Sequence, residues 1–547
     1  MEIIKRILVC VFILCGVAVL GLICGAGILA AVPGLRLFGI TFVNTAGLDD
    51  YREAFEVSSS ITANPDLLPT IFIDSADFNV NVITNYNLIE DNDDVNIIRV
   101  TMRRKMQGFS NSLDSNITPR FNISYDDVTK VVTIKVTHPQ GLFLNKDTNL
   151  TVEIPKDISS GKVYSVKTKS NTGIATFGTE DNQLIVHNLH ATCTNAKGNI
   201  VCKNVDIKNN VYLENFLGRV KINQNVAGTV QINSRVGTYE LNNIGNLEVL
   251  ASTVEGQSNN PSITVNTVNN VIYRAEIGKL NITEVKGSLD VETRSASINI
   301  DRCFGEVIYE GEGSNVTINQ LGKNVVDTTI KHTIFLTDGR AQINHCYNAL
   351  NVTTTKGSID VRQCYAEICA NSTYGSIYIE FGNGVTSSQN ISQALKDYLT
   401  TYTGSLPSLE INTIQGTVDV RNIRNTVLID SESSQISLHF LRVHKNNVVN
   451  SSGHQVRILV DSSEAFVTKV KRVESSNANF TVNFGNINLN SWPTEVDVNE
   501  NVLVTNSAED GINYKTTTLL LNSATQACEN IIQVNNNNGI FHLARVN

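Results

Sequence analysis

Very little in this 547-residue chain points to chemistry. It has no phosphate-binding glycine loop, no Gly-x-Ser-x-Gly nucleophile elbow and no His-x-x-x-His pair. No cysteine–histidine spacing matches a zinc site, so neither metal nor other cofactor is expected. The acidic run at 90–94 lacks the glycine and the bidentate glutamate of a calcium loop, and reads as a solvated turn. Charged residues are only 17% of the chain, the net charge is −9 and basic residues are nowhere concentrated, so a nucleic-acid surface is not expected. One tryptophan, Trp492, and an aromatic content of 6% give no evident platform for stacking sugars. Helical periodicity is scarce. Its clearest case, 392–402, places Leu395, Leu399 and Tyr402 at helical spacing.

Glycine, by contrast, recurs at a fixed interval. Gly287, Gly305, Gly322, Gly339, Gly357 and Gly375 are 17 or 18 residues apart, and Gly416 opens the same phrase further on. The phrase is Gly-x-apolar-x-apolar, as in Gly357 with Ile359 and Val361, and period-two alternation puts both apolar side chains on one face of a strand. A glycine just before each strand suits a sharp corner, where positive φ is cheap. After Gly322 the apolar pair slips to Val325 and Val326, marking an irregular turn. Gly218, Gly228 and Gly237 lie closer together and read as half-turns. The pattern predicts an all-β chain: a parallel β-solenoid with two strands and two corners in each turn of about 18 residues. The alternative is an antiparallel sandwich of evenly spaced hairpins.

The amino terminus carries the second signal. Residues 7–32 contain no charge and are almost wholly apolar, longer than a cleaved signal peptide's core and long enough to span a bilayer. Lys5 and Arg6 precede the stretch, which favours a signal-anchor with residues 1–6 cytoplasmic and the bulk of the chain extracellular or lumenal. A juxtamembrane linker at 33–68, a solenoid at 69–425 and a C-terminal β cap or small β-domain at 426–547 complete the expected organisation. The stretch 382–412, with its helical pattern, reads as a loop or helix inserted into the solenoid. Outside the apolar stretch lie seven cysteines. Cys346 and Cys364 each follow a turn glycine by seven residues and should stack on adjacent turns, as a disulfide or as buried thiols. Cys193 and Cys202 flank a glycine-containing loop and form the other candidate pair.

Between 68 and 177 the strands follow a familiar order: Ile71 to Ile83, Val95 to Thr101, Val131 to Val136, then Leu150-Thr-Val-Glu-Ile-Pro155, before the glycine-marked repeats. This resembles the bacterial "putative adhesin", or toast-rack, family across roughly residues 69–425. The resemblance implies a right-handed β-solenoid ectodomain, often tethered to a membrane, with no shared catalytic residues.

Parallel β-helices also include polysaccharide-cleaving enzymes, which need convergent carboxylates. Asp290, Asp360 and Asp419 each stand three residues after a glycine, but Ile308, Val325, Gln342 and Tyr378 fill the intervening positions, so these acids read as solvated surface. The expectation is therefore a non-catalytic, membrane-anchored surface protein for adhesion or scaffolding, its partner a surface glycan or protein. The alternatives are a polysaccharide-active β-helix and a sensory or envelope-stress ectodomain acting through a membrane partner.

Overall fold

The alternation of the sequence becomes an alternation of burial. In the strand Leu289–Cys303, Leu289, Val291, Ile298 and Ile300 are buried, while Glu292, Arg294 and Ser297 are exposed. The rhythm slips at Arg294 and Ser295, where the strand bends from one arm into the next, and again at Asp301 and Arg302 near its end. The computed structural model describes residues 36–37, 40–44, 51–56, 70–85, 97–103, 106–110, 120–137, 141–146, 149–155, 164–195, 198–250, 260–382, 408–494 and 500–546. These are all-β, and they fall into two units divided after Ile244. Among them no helix is long and apolar enough to cross a membrane; the expected span at 7–32 lies outside the described residues.

In the first unit, parallel pairing builds two rows. One row runs through Val132, Ile71, Val166, Leu189, Val211 and Val230 as successive register partners or near partners. The other joins Leu150, Val80, Ala175 and Ile200. The stretch Ile71 to Ile83 is thus two strands, Thr70–Ala76 and Asn79–Asn85, one in each row. Antiparallel strands cover the row edges: Arg120–Asp126 on Val131–Thr137, and Ile97–Arg103 on Asn149–Pro155. Such cover keeps an open edge from pairing with another chain. The segment expected as a linker, 33–68, itself contributes strands Arg36–Leu37, Ile40–Asn44 and Tyr51–Glu56.

The second unit repeats more strictly. Val271, Leu289 and Val307 are parallel partners, as are Leu280, Ile298 and Val316 on the second arm. The same register then runs through Ile334, Val352, Ala370, Ile411 and Ile429 on the first arm, and through Ala341, Ile359, Ile377, Val418, Ile436 and Val456 on the second. Strand pairing crosses 425–426 without interruption, so the expected domain boundary there marks no change in the ladder. Strand also resumes at Leu409, inside the stretch expected as an insertion, whose remaining residues 383–407 lie outside the described ones. Towards the end, chain order and spatial order part. The strands Ile531–Asn536 and Phe541–Arg545 pair between Asn447–Ser451 and Val456–Val460 on one side and Phe466–Val473 and Phe480–Phe484 on the other.

The glycines prove to mark two different corners. Gly287 and Gly305 precede the first arm, at the closing corner of a turn. Gly339, Gly357, Gly375 and Gly416 sit at the middle corner, in one column with Gly278, Ala296, Ser314 and Ser434. The turn after Gly322 is lengthened, its partners 25 residues apart rather than 18, and this shift carries the even glycine spacing from one corner to the other. Val325 is accordingly half exposed in the added loop and belongs to neither arm. Positive φ explains Gly322 (+83°) and Gly339 (+108°). For Gly357 and Gly375 the reason is different: a Cβ on either would overlap the carbonyl oxygen of the glycine one turn earlier, Gly339 and Gly357 respectively. The turned-in amides there are satisfied locally, Gly357 N–H donating to Thr354 Oγ1 (2.8 Å) and Gly375 N–H to Ser372 Oγ (2.8 Å). A buried amide without such a partner would be costly.

Gly375→Ala should therefore destabilise the protein by about 2–3 kcal/mol through overpacking against backbone. Gly453→Ala, where nothing lies within 4 Å, should stay within about 0.5 kcal/mol of wild type. Equal denaturation midpoints for the two variants would refute close approach as the reason for the glycine.

Candidate binding surface

Because register partners share a face, outward side chains of successive turns form rows about 4.8 Å apart. One row on the first arm runs Thr353, Asn371, Asn412, Asp430, Asn450, Asn535. Its amides bond along the row: Asn371 Nδ2 donates to Thr353 Oγ1 (3.3 Å), Asn412 Nδ2 to Asn371 Oδ1 (2.9 Å), and Asn535 Nδ2 to Asn450 Oδ1 (2.7 Å). Asn450 Nδ2 donates to Asp430 Oδ1. A groove of about 470 Å³ lies over this row. On the second arm, Asn299 donates to Asn281 (3.0 Å), Asn319 to Asp301 (3.0 Å) and Asn344 to Asn319 (2.7 Å), beneath a groove of about 360 Å³. None of these rows was read from the sequence. The one available signal was asparagine at the repeat interval, Asn281 and Asn299, and it is usable only once the register is known.

The expected acids separate. Asp360 and Asp419 do share an outward column on the second arm, with Tyr378 between them. Asp290 lies on the first arm beside Ile272 and Ile308, because Gly287 belongs to the other corner. There Arg274 pairs with Asp290 (2.6 Å) and Glu292 (3.3 Å) beside a third groove of about 440 Å³. Asp360 is only 7% exposed and is held by the guanidinium groups of Arg340 and Arg362, the latter at 2.9 Å. Burial pushes its carboxyl upwards, but hydrogen bonds from Arg362 and Arg340 outweigh this and leave it below the ordinary value of 3.8. Arg362 and Arg421 lie over the Tyr378 ring, 5.6 and 5.2 Å from its centroid. A carboxylate so held stays ionised at neutral pH and has no proton to give a leaving group. Among the described residues no cluster of three or more His, Cys, Asp or Glu side chains could hold a metal ion.

All seven cysteines of the described residues carry free thiols. Cys346 and Cys364 are register partners on adjacent turns, as expected from their spacing, and both are buried. Their thiols donate to the carbonyls of Asn348 (3.2 Å) and Ala366 (3.4 Å). Cys193 and Cys202 lie in different rows, also buried and free. Burial pushes the thiols of Cys202 and Cys303 up to about 12.

No family model matches the chain, and no curated protein matches it. Two solved structures align with it. A "putative cell adhesion protein" from Clostridium sporogenes covers 91% of this chain and 99% of its own, at 8% identity and a TM-score of 0.13. A "putative adhesin" from Parabacteroides merdae covers 72% and 98%, at 12% identity and a TM-score of 0.18. At such scores neither likeness carries an argument about this chain.

Two outcomes check this surface. The folded-state carboxyl of Asp360 titrates below its unfolded value, so its ion pairs stabilise fully above pH 3.8 and are lost as pH falls through the lower folded value. The melting-temperature gap between wild type and Asp360→Asn should be widest at neutral pH and close in acid; a gap independent of pH would contradict the pairing. Secondly, iodoacetamide at pH about 8 should reach the half-buried Cys369 and Cys528 before the five buried thiols, which need denaturation. A Cys346–Cys364 cross-linked peptide in a non-reducing digest would overturn the free-thiol state.

Proposed function

We propose that this chain is a non-catalytic binding protein of the cell surface: a β-solenoid ectodomain, held to the membrane by an N-terminal anchor and used for adhesion or scaffolding. The solenoid reading is supported by parallel pairing at an interval of 18 residues on both arms. The anchor reading rests on the uncharged apolar stretch at 7–32 behind Lys5 and Arg6. The observation that carries the functional reading is the set of in-register rows of hydrogen-bonding side chains under long shallow grooves. Such rows present many equivalent weak contacts, which suits a repeating ligand or a broad partner surface. Asp360, the best-buried outward acid among the described residues, is neutralised by two arginines and is built for structure.

The full chain with a C-terminal tag, expressed in cells, tests the topology. Protease added to intact cells should remove the tag and leave the N-terminus protected. Digestion only after permeabilisation would overturn the surface reading.

A further inference from the structure

The asparagine row under the 470 Å³ groove has a break in its polarity. Every amide bond along it points the same way, each residue donating to its partner one turn earlier in the row. Asp430 occupies a position in that sequence and, ionised, can only accept. Its earlier partner is Asn412, in direct register. The two amide hydrogens of Asn412 are already committed, to Asn371 Oδ1 at 2.9 Å and to Glu410 Oε1 at 3.3 Å. Since a carboxylate accepts only, the bond to Glu410 also fixes which way the Asn412 amide faces. Towards Asp430, Asn412 therefore has only its carbonyl oxygen to offer. At this one step of the row an acceptor meets an acceptor.

The second-arm row makes the contrast. There Asp301 accepts from Asn319, and its earlier neighbour is Thr283, whose hydroxyl can donate. An acid that follows a hydroxyl has a possible donor on each side; Asp430, which follows the Asn412 carbonyl oxygen, has Asn450 as donor on one side only, and its step towards Asn412 is left for a donor from outside. The groove says which donor. Among the described residues its lining contains two carboxylates, Asp430 and Glu432, one isoleucine, and otherwise only Ser, Thr and Asn. With no Lys, Arg or His, it gives an anionic ligand nothing to pair with, while hydroxyls and amides run its whole length. From Thr353 to Asn450 the row spans five turns, about 19 Å at the strand spacing. Tyr374, 56% exposed, follows the groove residue Thr373 and adds an aromatic face at the same corner.

We propose that this groove binds a neutral oligosaccharide lying along the row, with neighbouring sugar hydroxyls donating one to Asp430 and one to the Asn412 carbonyl oxygen at the polarity break. The proposal rests on the surface-binding reading above and supplies its ligand class.

Asp430→Asn tests it with almost no change in shape, because the new amide can donate to Asn412 and complete the row. The variant should keep or raise the melting temperature while losing the outside donor's place. Full-length wild type and variant, in detergent, are applied to an array of neutral, sialylated and sulfated glycans, with calcium and with EDTA. Wild type should retain neutral glycans in either buffer, and Asp430→Asn should lose about tenfold to a hundredfold in affinity, as for a hydrogen bond to a charged group. Binding confined to anionic glycans, binding abolished by EDTA, equal binding by the variant, or no neutral glycan retained would each overturn the proposal. Adhesion of cells displaying wild type separates the two levels. If wild-type and Asp430→Asn cells adhere alike, the glycan groove fails and the surface reading stands. If wild-type cells do not adhere, the adhesion reading fails with it.

Discussion

The second unit is governed by how closely one turn's backbone approaches the next at the middle corner. Gly357 and Gly375 leave no room for a Cβ above the preceding carbonyl, and the other positions of that column from 278 to 434 hold Gly, Ala or Ser. Hydroxyls from Thr354, Ser372 and Ser431, three residues earlier in each turn, accept the corner amides that face inwards. A corner this tight admits no slippage. Because side chains alternate with period two, a slip of one residue would turn the apolar face outwards and the amide rows inwards. The rows of Asn371, Asn412 and Asn450 thus depend on a constraint set on the opposite side of the backbone.

Charge plays a smaller part. Most of the ion pairs between turns are exposed, such as Arg294–Glu312 at 3.4 Å with both partners about 70% accessible, and pairs of that kind contribute little. Asp360 is the exception, sunk among Arg340, Arg362 and the Tyr378 ring. The stack is held chiefly by the apolar columns between its two arms, where each fully buried Val, Leu or Ile contributes about 1.5–3 kcal/mol relative to exposure. The amide rows contribute direction more than strength.

Period-two alternation and the glycine interval were enough to read an all-β chain repeating about every 18 residues, an interval at which Leu289–Cys303 and Val307–Leu321 pair in parallel, each as one bent strand rather than two. They also placed Cys346 beside Cys364 correctly. What could not be read was which corner a glycine marks. The lengthened turn after Gly322 happens to restore the 17- or 18-residue interval while moving the glycine from the closing corner to the middle one. That coincidence put Asp290 in a column with Asp360, when the two lie on different arms. The intercalation of Ile531–Asn536 between the earlier strands Asn447–Ser451 and Phe466–Val473 was equally hidden, since nothing local records an out-of-order pairing. The asparagine rows left one trace in the sequence, Asn281 and Asn299 at the repeat interval, which is usable only once the register is known. Asn371 and Asn412 are 41 residues apart in sequence and one hydrogen bond apart in space.

The unequal corners divide the molecule into an edge that can change and an edge that cannot. Between 271 and 460 the long departures from the 18-residue interval enter at the closing corner, after Gly322, after Gly382 and after Phe440, beside one-residue register shifts at Val361/Cys364 and Val420/Ile423 near the end of the second arm. The middle corner takes none in this stretch: pairs on its two sides keep one interval, as Ser431 with Ser451 and Ile436 with Val456 do. New segments, even whole folded modules, can thus be acquired along one side of the stack while both faces keep their rows in step. A protein built this way can lengthen its margin while the in-register rows on its faces stay as they are.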